Sequence, residues 1–324
     1  MPAKASDAAL DARSMIITRV LSAPREAAFE AWTKPEVLAR WFGPNGFTIT
    51  TSKHDFKPGG TWRFVMHGPD GTDYQNIIRY DEIVRPERIA YRQGDPDSDG
   101  SRDFQTTITF EPLGPRTLIT LRAVFASVEM RDRVLKEVNA IEGGQQTLGR
   151  LDAVVSETAP AARIKLFEIS RVFNAPRALV FAALTEPNHM KEWLSPKGMT
   201  VKKQTMDMRP GGSYHYGLET PTGQQMWGKF FYLEITPPSR LAYINVFSDA
   251  DGGITRHPMS PDWPREMLSL TTLEEQDGKT LMTLRWEPLN AGESELAVFA
   301  AANDGMRGGW TGTMDQLDAY LASL

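Results

Sequence analysis

RVLSAPREAAFEAWTKPEVLARWFGPNGFTITTSKHDFKPGG, residues 19–60, is written a second time as RVFNAPRALVFAALTEPNHMKEWLSPKGMTVKKQTMDMRPGG, residues 171–212. Arg19, Val20, Ala23, Pro24 and Arg25 return as Arg171, Val172, Ala175, Pro176 and Arg177. Trp41 returns as Trp193, and Pro58-Gly59-Gly60 as Pro210-Gly211-Gly212. The differences 171 − 19, 193 − 41 and 210 − 58 all equal 152. A constant offset over this span marks two copies of one fold.

Outward from this stretch the pattern is the same in both copies. Ser14 to Leu21 reads as a strand rich in β-branched residues, and Ser22 is a candidate helix cap ahead of Pro24. Phe29, Trp32, Val37, Leu38 and Trp41 give two short helices interrupted at Pro35. From Phe47 the period becomes two, and six strands are predicted: 47–56, 61–67, 74–84, 88–93, 104–111 and 117–125. Short Gly, Pro and Asp turns separate them, which favours an antiparallel meander. Val134, Val138, Ile141, Leu148, Leu151 and Val155 then form one apolar stripe, predicting a long final helix. Residues 156–163 are the expected linker, giving domains at 14–157 and 164–324.

In the second copy the strands are expected at 164–173, 199–208, 213–218, 226–235, 240–248, 267–274 and 280–286, with Pro187 breaking the helix pair. The register holds as far as Tyr91 and Tyr243, whereas Thr120-Leu121-Arg122 matches Thr283-Leu284-Arg285 at an offset of 163. The second copy has therefore gained eleven residues (163 − 152), placed in the Gly-, Pro- and Asp-rich run Asp249–Arg265 that holds His257 and Trp263. Such a loop either covers a cavity mouth, meets the other domain, or is a tolerated surface insertion. Leu296, Phe299, Met306, Trp310, Met314, Leu317 and Leu321 repeat the closing helix.

Composition narrows the function. A length of 324 residues accommodates two domains, and a net charge of −5 gives no global reason to bind nucleic acid or an anionic membrane. The absence of cysteine excludes disulfides and thiolate metal sites, and fits a cytoplasmic protein. The first residues, with Lys4, Asp7, Asp11 and Arg13, carry no signal-peptide core, and no apolar run reaches the roughly 20 residues of a membrane span.

Arg-Val-x-x-Ala-Pro-Arg, a Trp closing the helix pair, Pro-Gly-Gly before an aromatic strand, Pro-x-Arg-Leu/Ile-Ala-Tyr and Gly-Trp in the last helix together resemble the SRPBCC (START-like) superfamily. Within it the chain is most similar to homologues of the activator of the ninety-kilodalton heat-shock protein ATPase, from about Ser14 to Val155 and Ile164 to Leu324. The resemblance implies an α+β chain of two tandem helix-grip domains, each a curved antiparallel sheet wrapped on a long C-terminal helix with two short helices and a cavity between. It also implies a chaperone as one candidate partner, although neither copy resembles the eukaryotic activator's N-terminal chaperone-binding domain. The first copy departs from the motif: Gly144-Gln145 stands where the second has Gly309-Trp310, so the two cavities are expected to differ.

Strand alternation selects the residues expected to line those cavities. They are Trp41, Trp62, Phe64, Met66, Ile78, Tyr80 and Tyr91 in the first copy. In the second they are Trp193, Tyr214, Tyr216, Phe230, Tyr232, Tyr243 and Trp310. Such a lining suits a small hydrophobic or aromatic ligand with tyrosine hydroxyls fixing its orientation, although plain core packing would need the same aromatics. His54, His67, His189, His215 and His257 form no metal-ligand spacing, and no cofactor is implied. His54-Asp55 is not repeated, because Met206 replaces the histidine; Asp55 and Asp207 recur three residues before the turn proline and read as structural. Arg25 and Arg177 either bind an anion or pair with a carboxylate. No nucleophile elbow or phosphate loop is present, since Gly59-Gly60 precedes a strand rather than a helix. The leading expectation is a non-catalytic binding protein. A stress-related protein-interaction module and a cyclase- or hydratase-like cavity enzyme are the alternatives. Single-domain relatives that pair suggest either a monomer whose two domains form a pseudo-twofold pair or a homodimer.

Overall fold

The computed structural model describes residues 12–94, 103–137, 139–158, 166–195 and 198–324, and the chain divides into two compact units at Ala162/Arg163. In the first unit β1 (Ser14–Leu21) is followed by α1 (Arg25–Glu30) and α2 (Pro35–Trp41). Six strands come next: β2 (Thr48–His54), β3 (Thr61–His67), β4 (Asp73–Val84), β5 (Arg88–Gly94), β6 (Phe104–Leu113) and β7 (Arg116–Val124). Helices α3 (Val128–Glu137) and α4 (Ala140–Thr158) close the unit. The sheet is antiparallel in the order β1-β7-β6-β5-β4-β3-β2, so the last strand returns to pair with the first. Helix α4 packs on β1, α1 and α2 through Leu148, Leu151 and Val155, all buried.

The second unit repeats this with β8 (Phe167–Phe173), α5 (Arg177–Thr185), α6 (Pro187–Trp193), β9 (Thr200–Met206), β10 (Ser213–Glu219), β11 (Gln225–Thr236) and β12 (Arg240–Ser248). A two-residue β13 (Ile254–Thr255) precedes β14 (Glu266–Gln276), β15 (Lys279–Leu289), α7 (Glu293–Ala301) and α8 (Asn303–Leu321). Its sheet order is β8-β15-β14-β12-β11-β10-β9, with β13 pairing beside β12. No helix among the described residues is long and apolar enough to cross a membrane.

The repeated motifs have repeated physical causes. Gly59 and Gly211 sit at φ of +77° and +79°, the left-handed region that glycine enters without penalty. At Gly60 and Gly212 a Cβ would lie 2.1 Å from the carbonyl oxygens of Asp55 and Asp207, so only hydrogen fits. The turn is pinned to the next strand by Gly59 N–H to Tyr80 O (2.8 Å) and Tyr80 N–H to Gly60 O (3.0 Å). Gly211, Tyr232 and Gly212 repeat those bonds at the same distances. Trp41 closes the helix pair by donating to Ala31 O at 3.1 Å, and Trp193 donates to Ala183 O at 2.9 Å. Thr117 and Thr280, both wholly buried, donate to Ala23 O and Ala175 O at 2.7 Å. Arg25 lies 3.9 Å from Glu26 and from Glu87, and Arg177 3.8 Å from Glu275, so each of these arginines pairs with carboxylates.

Two local expectations change. Ser22 does not cap α1: Pro24 is the N-cap residue, and the Ser22 hydroxyl accepts from Arg116 at 3.0 Å. The apolar stripe of the closing helix is also not carried by one helix. Asn139 adopts a φ of +46° and separates α3, which buries no residue, from α4. Asparagine tolerates the left-handed region because its short side chain clashes little there. Ile141 is consequently 48% exposed, and Val138 lies outside the described residues. In the second unit the break falls at Ala302, leaving Leu296 36% exposed.

The eleven-residue insertion packs on its own unit. Trp263 lies 5.8 Å from Phe299, and Arg256 binds the Glu295 carboxylate at the start of α7.

Candidate ligand cavity

The inner face of the first sheet is packed at one end and hollow at the other. At the packed end Trp62 stacks on Phe64 (4.2 Å, 28°), Phe42 meets Trp62 edge-on at 4.7 Å, and Phe29 meets Phe110 at 5.3 Å. Trp41, Trp62, Phe64, Ile78 and Tyr80 all belong here, none more than 4% exposed, and none reaches the hollow end.

At the other end the same strand faces line an open-mouthed cavity of about 590 Å³, inside the ~300–1,000 Å³ range of small-molecule sites. Its floor is built strand by strand: Met15 and Ile17 on β1, Met66 on β3, Tyr74 and Asn76 on β4, Tyr91 and Gln93 on β5. Phe104 and Thr106 on β6 and Leu121 and Ala123 on β7 complete it. Trp32, Phe42 and the segment through Phe47 form one wall, and Ala140, Gly143, Gly144, Thr147 and Leu148 of α4 form the roof. Of the expected lining residues, Met66 and Tyr91 stand on this wall. The others that line it went unmarked because alternation names a face without saying where along the strand that face is empty.

The polar groups are few and mostly neutral. Gln93 donates to Asn76 Oδ1 at 3.2 Å, and Asn76 donates to Tyr74 O at 3.0 Å. Burial pushes the Tyr91 phenol well above its ordinary value, so the hydroxyl stays protonated. Trp32 is buried with its indole N–H unpartnered among the described residues, an uncommitted donor in the wall. Glu137 is the one carboxylate on the lining. His54, 3.2 Å from the Tyr80 hydroxyl, lies at the packed end, where burial lowers its pKa against the opposing pull of Asp55 and Glu36. No group of three His, Asp or Glu able to hold a metal occurs among the described residues. The arrangement can hold a molecule and orient it; it presents no nucleophile beside a base.

The second unit fills much of the corresponding space. Register makes the equivalence explicit: Tyr91 pairs with Thr106 and Thr106 with Ala123, while Tyr243 pairs with Ser269 and Ser269 with Trp286. Trp286 therefore replaces Ala123. It donates to Ser269 Oγ at 3.1 Å and meets Trp310 edge-on at 5.2 Å. What remains is split in two: a void of about 20 Å³, room for about one water, touched by Trp193, Phe230, Tyr232, Tyr243 and Trp310, and a pocket of about 220 Å³ lined by Asn245, Met267 and Trp286, the counterparts of Gln93, Phe104 and Ala123. Tyr214 and Tyr216 stack on one another at 5.1 Å beside Phe230, off this void. Tyr243 is pushed up to about 12 by burial, opposed by its bond with Ser269. His215, the counterpart of Arg63, stacks on Trp227 and meets Asp249 O at 3.0 Å, away from the void.

Comparison with known proteins places these features in a family. The profile described as "Activator of Hsp90 ATPase homolog 1-like protein" matches residues 22–156 and again 174–322. An Arthrobacter aurescens protein solved by NMR is 29% identical, with 48% of this chain and 92% of that chain aligned and a TM-score of 0.43. A Chromobacterium violaceum protein is 30% identical over 44% of this chain and 97% of that one (TM-score 0.40). A Silicibacter pomeroyi protein titled AHSA1 is 19% identical over 48% and 97% (TM-score 0.37). No curated protein matches. With both halves matched in sequence and both built as a sheet gripping a closing helix, the chain belongs to the Hsp90 ATPase activator homologue 1-like family, as two tandem copies.

Proposed function

We propose that this chain is a non-catalytic binding protein in which the first domain holds one small apolar or aromatic molecule. The second domain has the same fold with its interior divided into two smaller voids. The observation that carries this is the contrast between one void of about 590 Å³ in the first copy and two smaller ones, of about 20 and 220 Å³, in the second. Apolar walls supply the affinity, and Tyr91, Gln93 and Asn76 supply a short polar strip that orients the bound molecule. Domain limits of 14–157 and 164–324 and a cytoplasmic setting complete the reading, the latter resting on a chain without cysteine. A chaperone-directed role draws on the family description alone, whereas the cavity is a feature of this chain's own side chains.

The test is binding of 1-naphthol, followed by calorimetry on the full chain. One molecule per chain should bind, and Ala123→Trp should abolish binding while the protein stays folded by circular dichroism. Equal binding by Ala123→Trp, or none by the parent chain, overturns the reading.

A further inference from the structure

We propose that the insertion of the second domain turns what is left open of that domain's interior into a site for a small aromatic carboxylate, walled by Phe247, His257, Trp263 and Trp286 with Arg265 as the counter-ion. The pocket measures about 220 Å³ and lies at the open end of β12 and β14. A dry cavity of about 150 Å³ accepts benzene, so this one has room for an aromatic ring carrying a carboxylate.

The walls are fixed by ring contacts rather than by chance exposure. Phe247 meets His257 edge-on at 4.5 Å, His257 lies 6.0 Å from Trp263, and Trp263 rests on Phe299 at 5.8 Å. Arg256 secures the loop by binding Glu295 and donating to Pro261 O at 3.5 Å and Trp263 O at 3.4 Å. Arg256 is thereby committed. Arg265 also lines the pocket, yet has no ion pair or hydrogen bond among the described residues, and its neighbour Glu266 accepts from Asn290. Asn245, on the same lining, likewise leaves its carboxamide unengaged. His257 Nδ1 accepts the Met259 N–H at 3.0 Å, so the neutral ring carries its proton on Nε2 as a further donor.

A single planar guanidinium, two neutral donors and aromatic faces match one carboxylate on a flat ring. A guanidinium meets a carboxylate with two parallel hydrogen bonds, and one positive charge balances one negative charge. Copy one carries Gln93, Phe104 and Ala123 at the positions of Asn245, Met267 and Trp286, and it lacks the insertion. Those three positions line the first domain's cavity, so the pocket is its second-domain counterpart, remade by Trp286 and the insertion.

The experiment is calorimetric titration of the full chain with indole-3-carboxylate, with indole as the uncharged control. In the Ala123→Trp chain, whose first-domain cavity is filled, saturable one-to-one binding is expected, with indole about tenfold weaker or worse. Arg265→Met should weaken the acid about tenfold and remove its advantage over indole, the effect of one lost charge-assisted contact. Ala123→Trp, which fills the first domain's cavity, should leave the acid's affinity unchanged. Absence of binding to the folded chain, indifference to Arg265→Met, or loss on Ala123→Trp would each overturn the proposal.

Discussion

Ala123 and Trp286 hold the same position in two copies of one sheet: Ala123 pairs across the ladder with Thr106, and Trp286 with Ser269. Where the first copy turns a methyl group to its cavity, the second has an indole that packs on Trp310.

The reciprocal exchange should follow. Trp286→Ala removes an indole that packs on Trp310 and bonds Ser269, so it should destabilise the second domain by about 3 kcal/mol, the usual cost of deleting a large packed aromatic. Urea unfolding measures this. Ala123→Trp should cost far less, because the indole enters space that already exists.

The Pro-Gly-Gly turn predicts an order of damage within one dipeptide. Gly59→Ala should cost about 1–2 kcal/mol, from a φ of +77° with open space beyond it. Gly60→Ala should cost more, because its Cβ would meet a backbone carbonyl at 2.1 Å and the turn must move. Equal midpoints for the two variants in chemical denaturation would show that the close approach is not what selects the second glycine.

Thr117→Val and Thr280→Val each leave a buried alanine carbonyl without its side-chain donor. Each should lower stability by about 1–3 kcal/mol, and the pair should be additive because they lie in different units. Thermal denaturation of the two single variants and the double variant checks this.

Acid should weaken the fold through two histidines. Burial lowers the pKa of His54 and of His257 below the unfolded value near 6.5. A base whose folded pKa is depressed resists protonation only while folded. Its contribution is therefore constant above about pH 6.5 and is lost as pH falls from there through the folded value. His54→Gln with His257→Gln should flatten the melting temperature between pH 7 and 5 relative to the parent chain.

The sequence by itself determined the two-copy architecture, the strand faces, the turn glycines and the tryptophan closing each helix pair. All of these arise from local rules: a fixed offset, a period of two or 3.6, a φ only glycine accepts, a donor ten residues from its acceptor. It also marked Gln145 against Trp310 as a difference between the copies. The place of the cavity was decided only in three dimensions. Trp62 and Met66 share one face of β3, yet one is core and the other cavity wall, because the volume left open depends on what six strands and a helix contribute at one level. Asn139 likewise broke a periodic stripe that reads as continuous, since an apolar spacing records which residues seek burial and not whether one backbone turn between them is helical. Whether two copies of one fold are both containers is a question of summed side-chain volume, and that sum exists only once the strands are in register.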